Sequence, residues 1–466
     1  MNQFPAVAPA PSVGPTAQHD SQIKAPVSDL PNDDPSWIGL FQRNRLNAPL
    51  EQPLDVYHAQ QVEVRHSRDT SERVFVRAHG TVENLWRLLL AYGIRVRYNE
   101  LARDIEVSID GVPREGELAR NTNLSLIEDL CRLNKYPHTQ VAGNIFALAE
   151  RDSYNPALDW IRSKPWDGVH RFSELCDCLT FKDPSKAQLS WTLFRKWLLG
   201  AAAIISGRTN KFEHVLVLVD PNGGIGKTRF FNSLCPPAFQ ADGVALDVDD
   251  KDSVLQVISK WLVELGEIGA TFGKSDTEAL KAFLSRSSDE VRPPYSRATN
   301  RFPRRTAFFG SVNNVRFLVD DTNNRRFWPI EVTAVDYRHS IDMQQVWAEA
   351  LWWLDQGDAW HASQELNAAL GVYNDGFRTM DRVEEKILAS YDPTLPPCRH
   401  LSASDVLDEI GVASPKRADT VTAGKVLRKL FASKVSKGYT VYHVPFAKKP
   451  GGTCSPSSER YGAGPL

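Results

Sequence analysis

The chain has 466 residues, of which 42% are hydrophobic and 24% are charged, a composition typical of globular domains. Its formal net charge is −2, so any site for nucleic acid must come from local clusters of basic residues. The six cysteines form no CxxC pair, which indicates free thiols in a reducing compartment. No apolar stretch is long enough to span a bilayer, and the N-terminus lacks the order of a signal peptide. We therefore predict a cytoplasmic protein without membrane contact.

The N-terminal half begins with a polar segment. Residues 1–36 are rich in Pro, Ala, Ser and Gln, which predicts a disordered tail. Residues 37–205 form a mainly helical region in which TVENLWRLLLAYG predicts a helix that ends at Gly93. IRVRYNELARDIEVSIDG then alternates like a short strand pair, and WTLFRKWLLGAAAIISG predicts a further helix.

Residues 206–372 differ in pattern, because strand-like runs alternate with helix-like ones. HVLVLV, WLVELG, RTAFFGSV and RFWPIEV are typical of buried strands, and KTRFFNSL and TEALKAFLS of helices. This alternation predicts an α/β domain with a largely parallel sheet. The Trp-rich helix MQQVWAEALWWLDQGDAW closes the domain.

The C-terminal part starts with a helix and a Pro-rich link in residues 373–400. Residues 401–450 read as two helices followed by strands, with nine Lys or Arg against four Asp or Glu. This order predicts a small winged-helix-like module whose basic helix contacts DNA, and the alternative is a helical cap with a solvated basic face. Residues 451–466 predict a second disordered tail. The predicted DNA contacts of the basic helix are Lys425, Arg428 and Lys429.

The stretch VLVLVDPNGGIGKTRFFNSL has the features of a phosphate-binding loop. Glycines let the backbone turn tightly and bring its N–H groups to an anion, Lys227 would neutralise the outer phosphates, and the Thr228 hydroxyl would ligate Mg²⁺. Pro221 stands where the eight-residue pattern has its first glycine. The simpler interpretation is a glycine-rich turn with a surface lysine. The residues predicted to bind ATP are Gly223, Gly224, Ile225, Gly226, Lys227, Thr228 and Arg229.

Polar residues end two further buried strands. WLVELGE carries Glu264 and Glu267, one of which is expected to hold the Mg²⁺-bound water or act as general base, and the spacing does not decide between them. TAFFGSVNN ends in Asn313, which is placed to sense the γ-phosphate. In TNNRRFWPI, Arg325 and Arg326 are candidates for an arginine finger presented to a neighbouring subunit, and the alternative is an ordinary surface ion pair.

These motifs, in this order, resemble the virulence-associated protein E family. HVLVLVDPNGGIGKT, WLVELGE, EALKAFLSR, RPPYSR, FFGSVNN and TNNRRFWPI carry the resemblance, which covers about residues 80 to 370. Members of that family are P-loop ATPases of phages, plasmids and genomic islands, similar to superfamily 3 helicases. The expected fold is therefore an α/β P-loop NTPase core of the AAA+ or superfamily 3 type, with a mainly helical N-terminal region and a winged-helix-like C-terminal module.

The resemblance implies an ATP-driven ring, commonly a hexamer, that works on single-stranded or forked DNA in a bacterial cell. Lys227 and Thr228 would act on Mg-ATP within one subunit, while Arg325 or Arg326 would reach the neighbour's γ-phosphate. The region 37–205 would be an adaptor or collar that helps the ring to assemble. Ring helicases of this type place a hairpin in the pore where this chain has VRPPYSRATNRFPRR. Its candidate DNA contacts are Arg292, Tyr295, Arg297, Arg301, Arg304 and Arg305, and the alternative is that some of these arginines face the ATP site or form subunit ion pairs.

Three functions compete at this point. The leading hypothesis is a replicative DNA helicase of a mobile element. The second is a ring ATPase that binds DNA or an origin, or interferes with a helper element, without unwinding. The third is a monomeric P-loop kinase for a small metabolite, which would need neither an interface arginine nor DNA.

Overall fold

Contacts within the chain, in a computed structural model, divide it into two compact units. The boundary lies between Tyr154 and Asn155, and residues 100–103 are grouped with the second unit. Both predicted tails, 1–36 and 451–466, lie outside the described residues. None of the described helices is long and apolar enough to cross a membrane. The described residues are 46, 48–66, 72–109, 119–244, 246–266, 274–291, 300–319, 324–436 and 438–447.

The first unit packs helices onto short strands. Its first helix begins after Thr81, whose hydroxyl accepts a hydrogen bond from the Asn84 amide. Leu85, Leu88 and Leu89 are buried on one face of this helix, as the apolar spacing predicted. The elements in chain order are β1 (Gln60–His66), β2 (Glu72–Ala78), α1 (Val82–Ala91), β3 (Ile94–Asn99), β4 (Asp104–Ile109), α2 (Ala119–Leu133), α3 (Val141–Arg151) and β5 (Ser153–Tyr154).

Strand pairing in this unit is mostly antiparallel. β1 pairs with β2, and β3 lies between β4, to which it is antiparallel, and β5, to which it is parallel. The strand pair predicted in IRVRYNELARDIEVSIDG is therefore confirmed as β3 and β4.

The second unit contains a mixed α/β core followed by a smaller C-terminal group of elements. Its core elements are α4 (Pro156–Ile161), α5 (Phe172–Asp177), β6 (Leu179–Phe181), α6 (Ala187–Ile205), β7 (Val215–Val219), α7 (Lys227–Ser233), β8 (Gln240–Val244), α8 (Lys251–Ile258), β9 (Leu262–Leu265), α9 (Lys274–Leu284), β10 (Ser288–Val291), β11 (Asn300–Pro303), β12 (Ala307–Val312), β13 (Phe327–Val335), α10 (Met343–Asp355) and α11 (Gln364–Asp375).

Six of these strands form one sheet in the order β6-β13-β7-β12-β9-β8. Every neighbouring pair is parallel except β13 with β6. All five residues of β7 are buried, as a central strand covered on both faces requires. The mixed α/β fold with a largely parallel sheet, predicted from the alternation of elements, is confirmed. Because the carboxyl ends of parallel strands share one edge, the loops after β7, β9, β12 and β13 all leave the sheet on that edge.

Helix α6 belongs to this sheet rather than to the N-terminal unit. The Trp197 indole donates a hydrogen bond of 2.7 Å to the Phe308 carbonyl of β12, and Trp261 donates one of 2.9 Å to the Ala201 carbonyl. Gly200 has no room for a Cβ, because the Phe212 ring occupies that space. The compact units therefore divide at residue 154, which is before α4, α5, β6 and α6, whereas the sequence predicted the boundary at residue 205. The sequence pattern did not reveal that α6 covers the sheet.

The C-terminal group has its own small core around Val406, Leu427 and Tyr442. β14 pairs with β16 and β16 with β15, all antiparallel, beside two helices. The two helices and the strand pair after them were predicted from the sequence, and β14 was not. The elements are α12 (Arg382–Ser390), β14 (Arg399–Ser402), α13 (Ala403–Glu409), α14 (Arg417–Leu430), β15 (Ser433–Ser436) and β16 (Tyr439–Val444).

Candidate nucleotide-binding site

The loop between β7 and α7 turns tightly on three glycines. Gly223, Gly224 and Gly226 have φ values of 72°, 76° and 93°, which only glycine adopts without strain. At Gly226 there is a second restriction, because a Cβ would overlap the ring of Tyr337. The three glycines selected from the sequence therefore occupy positions that need glycine.

Lys227 is the first residue of α7, directly after this loop, and is 7% exposed. Its Nζ donates a hydrogen bond of 2.9 Å to Oδ1 of Asn313 and lies 3.8 Å from Oδ2 of Asp220. Burial lowers the pKa of Lys227, while the negative charges of Asp220 and Glu264 act against that shift. The buried Oδ2 of Asp220 has no hydrogen-bond partner among the described atoms. The site thus holds a desolvated ammonium group beside the glycine loop.

Glu264 faces the hydroxyl of Thr228. The Thr228 Oγ1 donates a 2.8 Å hydrogen bond to Oε1 of Glu264, and Ser311 Oγ donates a 2.6 Å bond to the same oxygen. Oε2 of Glu264 accepts a 3.2 Å bond from the Gly243 amide. Glu264 is 4% exposed, so its carboxylate is fixed by donors from three directions. Glu267, the other candidate acid, lies outside the described residues.

Three strand ends thus bring together residues that are far apart in the chain. Lys227 and Thr228 follow β7, Glu264 lies in β9, and Asn313 follows β12. Ser311, two positions before Asn313 in β12, was not selected from the sequence, because it meets Glu264 only through the pairing of β12 with β9.

Tyr337, which sequence reasoning also missed, contacts the glycine loop from the β13 side. Its hydroxyl accepts a 3.1 Å hydrogen bond from Nη1 of Arg229. This bond and the positive charge of Arg338 hold the pKa of Tyr337 below its usual value. Arg229, predicted to bind nucleotide, therefore lies at the rim of the site and orients an aromatic ring.

Arg325 and Arg326 point into different environments. Arg326 Nε lies 3.3 Å from Glu213, and its Nη2 donates a 2.9 Å bond to Ser285. Although burial acts to raise the pKa of Glu213, the Ser285 hydrogen bond and the Arg326 charge outweigh it and the pKa is lowered. The Arg325 side chain is exposed and forms no ion pair with a described residue, while its carbonyl accepts a bond from Trp328. Arg326 is therefore held within its own subunit, contrary to its prediction as a finger, and Arg325 is free to extend.

A comparison with known protein families adds to this geometry. The family model of the virulence-associated protein E-like domain matches residues 161–378. The chain contains a virulence-associated protein E-like domain. The resemblance seen in the motifs is thereby confirmed over residues 161–378, a range that contains β7, β9, β12 and every described residue of the site, while residues 80–160 lie outside the match.

Solved structures similar to this chain include two apo structures of the NrS-1 C-terminal region. One, of residues 305–718 of that protein, has a TM-score of 0.42 and 12% identity, and the match covers 78% of this chain and 98% of that one. The other, an A form, has a TM-score of 0.44 and 13% identity with the same coverage. No curated protein matches the sequence.

Within the virulence-associated protein E-like domain, β10 and β11 form an antiparallel hairpin in which Val291 faces Asn300. A hairpin was expected here, but Arg292, Tyr295 and Arg297 lie outside the described residues. Arg301 is exposed on β11, and its Nε donates a 2.7 Å bond to Ser288.

The prediction that Arg304 contacts DNA is wrong. Its side chain is fully buried, and Nη2 lies 2.6 Å from Oδ1 of Asp289. Arg305 is mostly buried and lies 3.8 Å from Glu100. Arg304 thus joins the end of β11 to Asp289 of β10, since a buried guanidinium needs a partner in its own protein.

The basic helix α14 follows the virulence-associated protein E-like domain in the chain. Ala423, Val426 and Leu427 face the small core, whereas Lys425, Arg428 and Lys429 are exposed. The three exposed residues lie at spacings of three and four and so share one face of the helix. On the hairpin of β15 and β16, which follows α14, the large apolar side chains of Val435 and Tyr439 are 77% and 73% exposed.

Proposed function

We propose that this protein is an ATP-hydrolysing motor that acts on DNA during replication of a phage or another mobile genetic element. The observation that carries the proposal is the meeting of Lys227, Thr228, Glu264 and Asn313 beside a loop of three left-handed glycines. The P-loop interpretation and the virulence-associated protein E-like domain point to the same activity.

Each group has a chemical role in hydrolysis. Lys227 would pair with the β- and γ-phosphates, replacing its present bond to Asn313, and Asn313 would then orient the attacking water. Glu264 is the acid best placed to polarise that water. The Thr228 hydroxyl and the Glu264 carboxylate are hard oxygen donors and fit Mg²⁺, which supplies charge neutralisation to the phosphates when bound.

The proposed motor is a ring, of hexameric form, with ATP at subunit interfaces. Arg325 supports this arrangement, because an exposed guanidinium on an anchored backbone can reach a neighbour's phosphates without losing an existing partner. DNA would be contacted by the β10–β11 hairpin, through Arg301 among the described residues, and by the basic face of α14.

A ring ATPase that binds DNA without unwinding it remains the second candidate, favoured by the separate basic face on α14. The proposal is tested by measuring ATP hydrolysis with and without single-stranded DNA, the particle mass in size-exclusion chromatography, and strand displacement on a forked duplex. We expect DNA-stimulated hydrolysis, a mass several times that of the chain, and displacement. Stimulated hydrolysis without displacement would favour the second candidate, and a monomer indifferent to DNA would favour the kinase.

Replacement of Glu264 by glutamine is expected to slow ATP hydrolysis by roughly 10²- to 10⁴-fold, because the amide cannot accept a proton. Nucleotide binding should persist, since glutamine can still accept the hydrogen bonds from Thr228 and Ser311. Turnover and binding of a fluorescent ATP analogue measure the two effects. Ser311→Ala serves as a control that removes one donor to Glu264 and leaves the acid in place. If Glu264→Gln hydrolysed ATP at the wild-type rate, Glu267 rather than Glu264 would be the general base.

Alanine at Lys425, Arg428 and Lys429 together is expected to weaken binding of single-stranded DNA and to flatten its salt dependence. Each lost phosphate contact reduces the slope of log K against log salt by about 0.7, so the triple variant should lose about two. Fluorescence anisotropy across a salt series measures this slope. Hydrolysis without DNA should stay at the wild-type rate, and an unchanged slope would show that α14 is only a solvated face.

A further inference from the structure

The segment between β13 and α10 runs along helix α7. Tyr337 lies over Gly226 at the start of that helix, and at the other end of the helix His339 Nε2 lies 2.8 Å from the Ser233 hydroxyl. The His339 ring also contacts Phe230, with centroids 6.1 Å apart. The segment is therefore anchored to α7 at two places, which fixes the Tyr337 ring against the glycine loop.

Two arginines lie over the Tyr337 ring and give it a positive environment. The guanidinium carbons of Arg229 and Arg338 lie 5.3 and 5.4 Å from the ring centroid. The ring is only half-buried, although Arg229 holds its hydroxyl in place. An aromatic surface fixed by an arginine and open to solvent is built to accept a planar group.

The strand order separates this ring from the hydrolytic groups. β7 carries the glycine loop and lies between β13 on one side and β12, followed by β9, on the other. Glu264 and Asn313 belong to β9 and to the end of β12, so the γ-phosphate end of a bound triphosphate would face that side. The base of a nucleoside triphosphate lies at the end away from the γ-phosphate. Tyr337 follows β13, which is on the other side of the glycine loop from β12 and β9.

We infer that Tyr337, oriented by Arg229, is the stacking surface for the base of the bound nucleoside triphosphate. This inference rests on the proposed ATP site and adds the residue that recognises the base. Stacking involves the π-face that every base has, so Tyr337 would contribute affinity for purine and pyrimidine nucleotides alike. Arg229 is a positioning residue in this arrangement.

The test compares a ligand that has a base with one that has none. Binding of ATP and of inorganic tripolyphosphate, each with Mg²⁺, is measured by calorimetry on the full chain and on Tyr337→Ala and Tyr337→Phe. We expect Tyr337→Ala to bind ATP about tenfold more weakly, in line with the strength of base–aromatic stacking, and to bind tripolyphosphate as the wild type does. Tyr337→Phe keeps the ring and should bind ATP within about twofold of the wild type.

The other outcomes separate the inference from the proposed function. Equal losses for ATP and tripolyphosphate in Tyr337→Ala would mean that the ring only supports the glycine loop, which overturns the stacking role. Unchanged ATP binding in Tyr337→Ala overturns it as well, while the ATP site itself would stand. Failure of the wild type to bind either ligand would overturn the proposed function and the stacking role with it.

Discussion

Replacement of Lys227 by alanine is expected to abolish ATP hydrolysis, with a loss of at least about a thousandfold that added DNA does not restore. Lys227 is the cation that directly follows the glycine loop, and its burial means that its charge would act on phosphate with little screening by water. No other described residue is placed to substitute for it, because Arg229 is engaged with Tyr337. The measurement is steady-state phosphate release with and without single-stranded DNA.

The fold should survive this substitution. Burial disfavours the charged form of Lys227, so its removal ends a desolvation cost, but it also leaves the buried Asp220 carboxylate without the cation 3.8 Å away. We expect the variant to fold with a lowered melting temperature, and turnover is therefore compared per folded subunit. Lys251→Ala, on the exposed first turn of α8, is the matched control and should hydrolyse ATP normally. Normal turnover in Lys227→Ala would contradict the assignment of the loop to ATP.

The parts of the site that depend on local sequence were predictable. The glycine positions, Lys227 and Thr228 form a continuous motif after a buried strand, and chain geometry alone requires glycine there. The meeting of Glu264 and Asn313 at the same edge also followed from the sequence, because parallel strands place their carboxyl ends together.

The partners that come from distant segments were not predictable. Tyr337 follows the glycine loop by more than a hundred residues and lies just after β13, so only the strand order reveals that it contacts Gly226. Ser311 faces Glu264 because β12 and β9 are adjacent, and a single sequence does not give that adjacency. These contacts depend on tertiary packing, which hydrophobic periodicity does not encode.

Charge was the least reliable guide. Arg304 and Arg326 both lie in basic stretches, and the sequence analysis assigned them to DNA and to a neighbouring nucleotide. Their partners, Asp289 and Glu213, are 15 and 113 residues away along the chain. Basic residues that lie together in sequence thus divide in the fold into buried ion-pair partners and exposed groups, and only the exposed ones are free to meet a ligand.

Arg325→Ala is expected to stop ATP hydrolysis while leaving nucleotide affinity nearly unchanged, because the finger acts only on charge in the transition state of a neighbouring site. Arg326→Ala is the matched control, one residue away. It leaves the partly buried Glu213 without its cation and should lower the free energy of unfolding by about 1–3 kcal/mol, with turnover per folded subunit retained. Nucleotide titrations, phosphate release and thermal melts separate the two variants. If Arg326→Ala were instead inactive and as stable as the wild type, Arg326 rather than Arg325 would be the finger, contrary to the ion pair of Arg326 with Glu213.

Mixing inactive subunits decides whether Arg325 acts across an interface. A Lys227→Ala subunit keeps Arg325, and an Arg325→Ala subunit keeps the complete glycine loop. If the finger acts on the neighbour, an equal mixture exchanged by dissociation and reassembly should regain activity, because roughly a quarter of head-to-tail interfaces join an intact loop to an intact arginine. If Arg325 acts within its own subunit, every site in the mixture lacks one of the two groups and no activity returns. Recovery would therefore require the shared site on which the ring motor depends.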